Sequence, residues 1–238
     1  MATPDFHFKR CSIVQEGVTH PVGTDGVLLG AWADVSGVRR LLDIGTGTGV
    51  VALMLAQRTE QMPDIQIDAV EMHPTSAVCA GKNFSNSPWA ERLNIFENTI
   101  QHFAQTAVGS YDLIVSNPPF FSEKTKAPDA TRRLGRHTET LPPLEMLSAV
   151  RALLAPEGRF AVVLPAQEGW KLCESAAPLG LYWTRILEVR GRREKPVERL
   201  LIEFQRNPYP FRRESMVIYD SALQYSAEYQ ELTKNFYL

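Results

Sequence analysis

The chain has 238 residues, 44% hydrophobic and 22% charged, with a formal charge of −2 at pH 7. Those proportions suit a soluble globular protein with room for one large α/β domain and small additions, and they exclude a uniformly basic nucleic-acid binder. No apolar stretch is long enough to span a membrane, the start lacks the charged and greasy regions of a signal peptide, and Cys11, Cys79 and Cys173 match no metal or redox spacing, so a cytoplasmic protein with buried thiols is expected.

In chain order, residues 5–18 alternate loosely around Phe6, Phe8, Ile13 and Val14, which predicts a short hairpin. Gly23-Thr24-Asp25-Gly26 precedes an apolar run over 27–33, a helix with Thr24 or Asp25 as its N-cap. Residues 40–44 then read as a buried strand, Gly45-Thr46-Gly47-Thr48-Gly49 as a turn and residues 50–58 as a helix. A second strand over 65–70 ends at Glu71, and His73-Pro74-Thr75 opens a helix to about Asn86. A third strand covers 93–96, followed by Asn98-Thr99-Ile100 and a helical stretch. The fourth, over 111–116, runs into Asn117-Pro118-Pro119-Phe120.

Residues 121–140 are polar and basic without a period, which predicts a loop ordered by itself or by a ligand. Leu144, Leu147, Val150 and Leu154 share a helical face, and Pro156-Glu157-Gly158 turns into a strand over 159–164. A helix around 170–177 and strands over 182–189 and 197–204 follow, the strands joined by the basic bend Gly191-Arg192-Arg193-Glu194-Lys195-Pro196. Residues 206–238 read as an appendage, extended over 216–219 and helical over 225–236. This alternation predicts a mainly parallel, doubly wound sheet in a single domain over 1–238, with an N-terminal hairpin and helix over about 1–35.

In such sheets ligands bind beyond the carboxyl ends of the strands, where the loops after the first and fourth strands flank a crevice. The glycines at 45, 47 and 49 let backbone approach a ligand closely, and Glu71, roughly twenty residues on, is placed to accept hydrogen bonds from ribose hydroxyls. The loop is G-x-G-x-G followed by Val50-Val51, without the third glycine of the dinucleotide pattern G-x-G-x-x-G. The Asp43 carboxylate suits a cationic methionine group better than a pyrophosphate. Together with the end of the fourth strand, this favours S-adenosylmethionine over a nicotinamide. The candidate donor-binding residues are Thr24, Asp43, Gly45, Gly47, Gly49, Glu71, Met72, Asn98, Thr99 and Asn117. A solvated carboxylate at Glu71, a helix cap at Asp43 and a plain turn at Asn98-Thr99 are the readings left open beside these.

Proline restricts the residue before it to extended conformations, so Asn117 is held at the strand end among stiffened neighbours. An exocyclic amine on a nucleobase is a poor nucleophile because its lone pair is delocalised into the ring. If the Asn117 side-chain oxygen and the Pro118 carbonyl each accept one amine hydrogen, the nitrogen moves towards tetrahedral geometry; Phe120 then stacks on the base. Asn117, Pro118, Pro119 and Phe120 are therefore the candidate catalytic residues, although a strand followed by an ordinary proline turn has the same appearance. His20, His73, His102 and His137 show no metal spacing, and no metal is expected.

Positive charge is concentrated in two segments. Residues 123–137 carry Lys124, Lys126, Arg132, Arg133 and Arg136 against Glu123 and Asp129, and residues 185–199 carry Arg185, Arg190, Arg192, Arg193, Lys195 and Arg199 against Glu188, Glu194 and Glu198. In an otherwise acidic chain these are the candidate RNA contacts, with Arg192 and Arg193 chosen from the second segment.

Asp43-Ile-Gly-Thr-Gly-Thr-Gly49, Glu71, Asn117-Pro-Pro-Phe120 and Val22-Gly-Thr-Asp-Gly-Val-Leu-Leu-Gly-Ala-Trp32 together resemble the bacterial tRNA adenine-N6 methyltransferases that modify adenosine 37 of valine tRNA. The likeness extends to Ser87-Pro-Trp-Ala-Glu-Arg92 and to the ending from Tyr225-Ser-Ala-Glu-Tyr through Asn235-Phe-Tyr237. Asn-Pro-Pro-Phe by itself is shared with enzymes acting on DNA adenine, rRNA guanine and protein glutamine. The resemblance implies a class I methyltransferase with a seven-stranded sheet, S-adenosylmethionine as donor, tRNA as substrate and no obligate protein partner. It also implies that Asn117 and Pro118 hold the amine, that Phe120 stacks, and that Gly45, Gly47 and Glu71 hold the donor. Members of that family often carry lysine where Pro21 stands and aspartate where Asn98 stands.

Overall fold

The computed structural model describes residues 4–18, 20–62, 64–119 and 141–237. β1 (Phe6–His7) and β2 (Ser12–Ile13) pair antiparallel as the expected hairpin. α1 (Thr24–Trp32) leads to β3 (Arg40–Ile44), and α2 (Val50–Arg58), β4 (Gln66–Glu71), α3 (Pro74–Ser85), β5 (Leu93–Glu97), α4 (Ile100–Thr106) and β6 (Tyr111–Ser116) follow in turn. Then come α5 (Pro143–Leu153), β7 (Leu154–Pro165), α6 (Ala166–Ala176), β8 (Tyr182–Arg190), β9 (Arg199–Gln205), β10 (Arg212–Val217) and α7 (Ala227–Thr233).

The main sheet has the order β10-β8-β9-β7-β6-β3-β4-β5. β3 pairs parallel with both β4 and β6, β5 with β4 and β7 with β6. β9 is antiparallel to β7 and β8, so β8 and β10 point the same way as β7. The class is the expected one, but the sheet has eight strands among the described residues rather than seven. The added strand, β10, comes from the segment read as an appendage. Arg212, Arg213, Glu214 and Ser215 are all exposed on it, and such an edge strand has no apolar alternation by which a sequence reveals it.

Successive residues of the central strands feed opposite cores, as a period of two requires. Leu41, Ile67, Leu113, Val115, Ala161 and Val163 pack with α1, α2, α3 and α7 on one face. Leu42, Val70, Ile114, Phe160 and Val162 pack with α4, α5 and α6 on the other. The chain moves outward from β3 to β4 and β5, then returns to place β6 on the other side of β3. The crevice of a doubly wound sheet opens at such a reversal, here between the carboxyl ends of β3 and β6.

Candidate active site

Gly45, Gly47 and Gly49 all adopt left-handed backbone, with φ of +68°, +58° and +82°. Gly45 and Thr46 donate N–H to the Val70 carbonyl at 2.8 and 3.3 Å, tying the loop to the end of β4, and Gly49 donates to the Thr46 carbonyl at 2.8 Å. A Cβ on Gly45 or Gly47 would meet no protein atom within 4 Å, whereas one on Gly49 would lie 2.5 Å from Phe84 Cε1. The first two glycines answer to conformation alone; the third also admits the aromatic ring of α3 against the start of α2.

The Glu71 carboxylate lies under this loop, 5% exposed. Its Oε2 accepts the Gly47 N–H and its Oε1 the His73 N–H, each at 2.9 Å. A carboxylate oxygen carries two lone pairs, so each retains an acceptor site for a hydroxyl. Asp43, 1% exposed, accepts the Thr46 hydroxyl at 2.6 Å. Burial pushes its carboxyl up to about 7; hydrogen bonds from the Thr46 hydroxyl and the Ala52 backbone oppose the rise, and the charge of Glu71 adds to it.

Asn117 follows directly on β6, which is paired to β3 in the register Ile44↔Ser116, and the Ser116 hydroxyl donates to the Ile44 carbonyl at 3.0 Å. The strand end that carries Asn117 is thus fixed beside the one that carries Gly45. The first turn of α1 closes over both. A Cβ on Gly26 would lie 3.3 Å from Val50 Cγ1 and 3.5 Å from Asn117 Nδ2, so glycine there allows helix, loop and asparagine to converge.

The expected cap of α1 is corrected. The N-cap is Gly23, and neither Thr24 nor Asp25 caps the helix. Thr24 is the first helical residue, and the Asp25 carboxylate pairs instead with the guanidinium of Arg199 at the start of β9. A charge-assisted pair outcompetes a capping bond for that carboxylate.

Met72, just past Glu71, is 38% exposed. Asn98 donates its backbone N–H to the Glu71 carbonyl at 2.9 Å, and its Oδ1 accepts the Thr99 N–H at 2.9 Å. Thr99 caps α4, its hydroxyl accepting the His102 N–H at 3.3 Å. These residues line the same carboxyl edge as Gly45 and Asn117. Arg192 and Arg193 are exposed in the bend between β8 and β9, which the strand directions bring to that edge as well. Phe120, Lys124, Lys126, Arg132, Arg133, Arg136 and His137 lie outside the described residues.

Asn83 escaped the sequence reading. Its Oδ1 accepts the Val14 N–H at 2.8 Å, and its Nδ2 donates to the carbonyls of Val14 and Thr48 at 2.9 and 2.8 Å, clamping the N-terminal segment onto the glycine loop. It lies at 2% exposure in the last turn of α3 with its amide bonded on both ends, and nothing in the sequence around it marks that burial.

The cleft fits S-adenosylmethionine on its own chemistry: open left-handed loop backbone, a Glu71 carboxylate with acceptor capacity to spare, and the acidic Asp43 behind the loop. Fold and cleft define a class I S-adenosylmethionine-dependent methyltransferase. The fold likeness includes a predicted O-methyltransferase of Agrobacterium tumefaciens, 14% identical, with a TM-score of 0.67 over 89% of this chain and 96% of that one. It also includes a TehB-like SAM-dependent methyltransferase of Corynebacterium glutamicum, 20% identical, with a TM-score of 0.51 over 78% of this chain and 89% of that one.

Residues 26–171 match the family described as Methyltransferase small domain. The chain is 40% identical to the tRNA1(Val) (adenine(37)-N6)-methyltransferase of Trichodesmium erythraeum over 100% of this chain and 99% of that protein. Against the enzyme of the same name from Photobacterium profundum it is 42% identical, over 98% of each. The chain belongs to the tRNA1(Val) (adenine(37)-N6)-methyltransferase family. Among the described residues no helix is long and apolar enough to cross a membrane, and no group of three His, Cys, Asp or Glu side chains is placed to hold a metal.

Proposed function

We propose that this protein methylates the exocyclic N6 amine of adenine 37 in tRNA1(Val), the reaction named for its relatives, with S-adenosylmethionine as donor and in the cytoplasm, where tRNA resides. The observation that carries the reading is the full-length identity with enzymes of that name, joined to an Asn117-Pro118 strand end beside a glycine loop.

When bound, S-adenosylmethionine supplies an electrophilic methyl group on a positively charged sulfur. Gly45 and Gly47 offer loop backbone to it, Glu71 accepts from its ribose hydroxyls, and Asp43 and the Thr24, Met72 and Asn98-Thr99 neighbourhoods complete the surround. The Asn117 carboxamide oxygen and the Pro118 carbonyl accept the two amine hydrogens of adenine, which aims the nitrogen lone pair out of the ring plane, and Pro119 keeps the backbone stiff. Phe120, next in sequence, stacks on the base. The methylated amine loses its extra proton to water, so no residue is needed as a base. The lysines and arginines of 124–136, with Arg192 and Arg193, contact phosphates.

The test is transfer of labelled methyl from the donor to total tRNA and to rRNA, followed by nucleoside analysis. N6-methyladenosine in tRNA1(Val) is the expected product. N2-methylguanosine in rRNA, or label in protein alone, overturns the reading.

A further inference from the structure

Beyond β10 the chain runs along the carboxyl edge of the sheet once more. Ile218 and Tyr219 donate N–H to the carbonyls of Arg190 and Gly191, each at 2.9 Å, so Tyr219 is the backbone neighbour of the bend that carries Arg192, Arg193 and Lys195. The chain then folds back: Tyr219 and Tyr225 form an antiparallel bridge, and Asp220 donates its backbone N–H to the Gln224 carbonyl at 2.9 Å. The Asp220 carboxylate accepts the N–H of Ala222 at 2.8 Å and of Gln224 at 3.0 Å, which rigidifies the turn.

This turn displays apolar surface. The Tyr219 and Tyr225 rings stack with centroids 5.4 Å apart and planes within 18°, yet stay 38% and 45% exposed. At the tip Leu223 is 54% exposed with φ +63°, the one non-glycine residue in the left-handed region among those described. Leucine resists that conformation, and strain of this kind persists where the surroundings over-determine it, above all at binding surfaces. Tyr225 in turn packs at 4.8 Å on the buried Tyr229, so the exposed pair rests on a rigid base.

Stacked aromatic faces beside clustered cations are what single-stranded nucleic acid recognises: rings for unstacked bases, guanidinium and ammonium groups for phosphates. Arg192, Arg193 and Lys195 outnumber Glu194 in the exposed bend, which leaves it net positive towards phosphates. Four strand spacings separate β6 from β10, about 19 Å at the usual inter-strand distance, so the pair stands well apart from Asn117 on the same edge.

We propose that Tyr219 and Tyr225, with Leu223 at the tip, form a stacking platform for an unstacked base of the tRNA other than the one methylated, flanked by phosphate contacts from Arg192 and Arg193. This rests on tRNA being the substrate. The platform acts on RNA affinity and touches neither the donor nor the reacting amine.

The test uses the full chain and measures tRNA affinity across a salt series, donor affinity by calorimetry, and Tm. Replacing both tyrosines by leucine is expected to weaken tRNA binding on the order of tenfold at every salt concentration, with the slope of log affinity against log salt and the donor affinity unchanged. Replacing both by phenylalanine keeps the stack and the affinity. An Arg192→Gln, Arg193→Gln variant instead flattens the slope, by up to about 0.7–0.9 for each phosphate no longer neutralised. If the double leucine variant fails to fold, Tyr219→Leu alone carries the test, since that ring contacts only Tyr225 among the described aromatics. Leucine variants that bind tRNA within about twofold of wild type overturn the platform, and so do phenylalanine variants that bind as weakly as leucine ones. Wild-type protein that neither binds nor methylates tRNA overturns the parent reading itself, an outcome visible before any variant is made.

Discussion

The Glu71 carboxylate braces the backbone of Gly47: Oε2 accepts the Gly47 N–H at 2.9 Å while Oε1 holds the His73 N–H at the same distance. One side chain thus fixes the glycine loop and the start of α3 in a single geometry while keeping acceptor sites for a ligand.

Glu71→Ala is therefore expected to act on the donor rather than on the chemical step. Hydrogen bonds to a charged group are worth roughly 1.5–3 kcal/mol, which is about ten- to a hundredfold in donor affinity when they are removed. Calorimetric titration with S-adenosylmethionine reads this directly, and unchanged affinity removes Glu71 from the site. Glu71→Gln should fall between, because one of its two ends must present an amide donor to a backbone N–H.

Asn117→Ala should have the opposite signature. Its side chain is half-buried, with Nδ2 close to Gly26 of α1, and Tm and donor affinity are expected to stay near wild type. Removing one positioned group of this kind costs on the order of a hundredfold or more in kcat. Single-turnover methylation of tRNA at the wild-type rate would show that the amine is held elsewhere.

Asp43 makes stability depend on pH. Its folded-state value, pushed up from 3.8 to about 7 by burial, means that the native state holds a proton the unfolded state releases, so stability is full below about pH 4 and falls as pH rises through 7. Asp43→Asn should accordingly raise Tm at pH 8 and give no gain near pH 4. A cationic donor draws Asp43 into its ionised form, so affinity for S-adenosylmethionine should rise from pH 6 to pH 8 in wild type and stay flat in the variant. A variant equal to wild type in Tm at both pH values would remove the buried charge from the account.

The third glycine of the loop separates from the second in a stability measurement. Gly47→Ala carries only the left-handed penalty of roughly 1–2 kcal/mol, whereas Gly49→Ala adds a Cβ 2.5 Å from Phe84 Cε1. Urea denaturation should show Gly49→Ala as the more destabilised, and Phe84→Leu in the same chain should recover part of the difference. Equal midpoints for the two alanine variants would mean that α3 moves away at no cost.

Much of this molecule is local and therefore legible in the chain itself. The strand, glycine turn and helix at 40–58, the strand ending at Glu71 and the proline stop after Ser116 are set by near-neighbour chemistry: apolar runs, left-handed glycines, and a ring that removes a donor. The alternation of strands with helices then implied a doubly wound sheet, and the structure places a core on each of its faces. What tertiary structure alone decided depends on partners distant in sequence. Asp25 reads as a cap until Arg199, on another strand, takes its carboxylate. Asn83 reads as a routine helix residue until Val14 and Thr48 arrive to share its amide. β10 carries no pattern because its outer face meets water, and only the open edge of β8 selects it as a strand. The convergence of Gly26 on Asn117 and the approach of Tyr219 to the basic bend are likewise contacts across the fold, for which backbone pairing and close packing, rather than residue type, supply the reason.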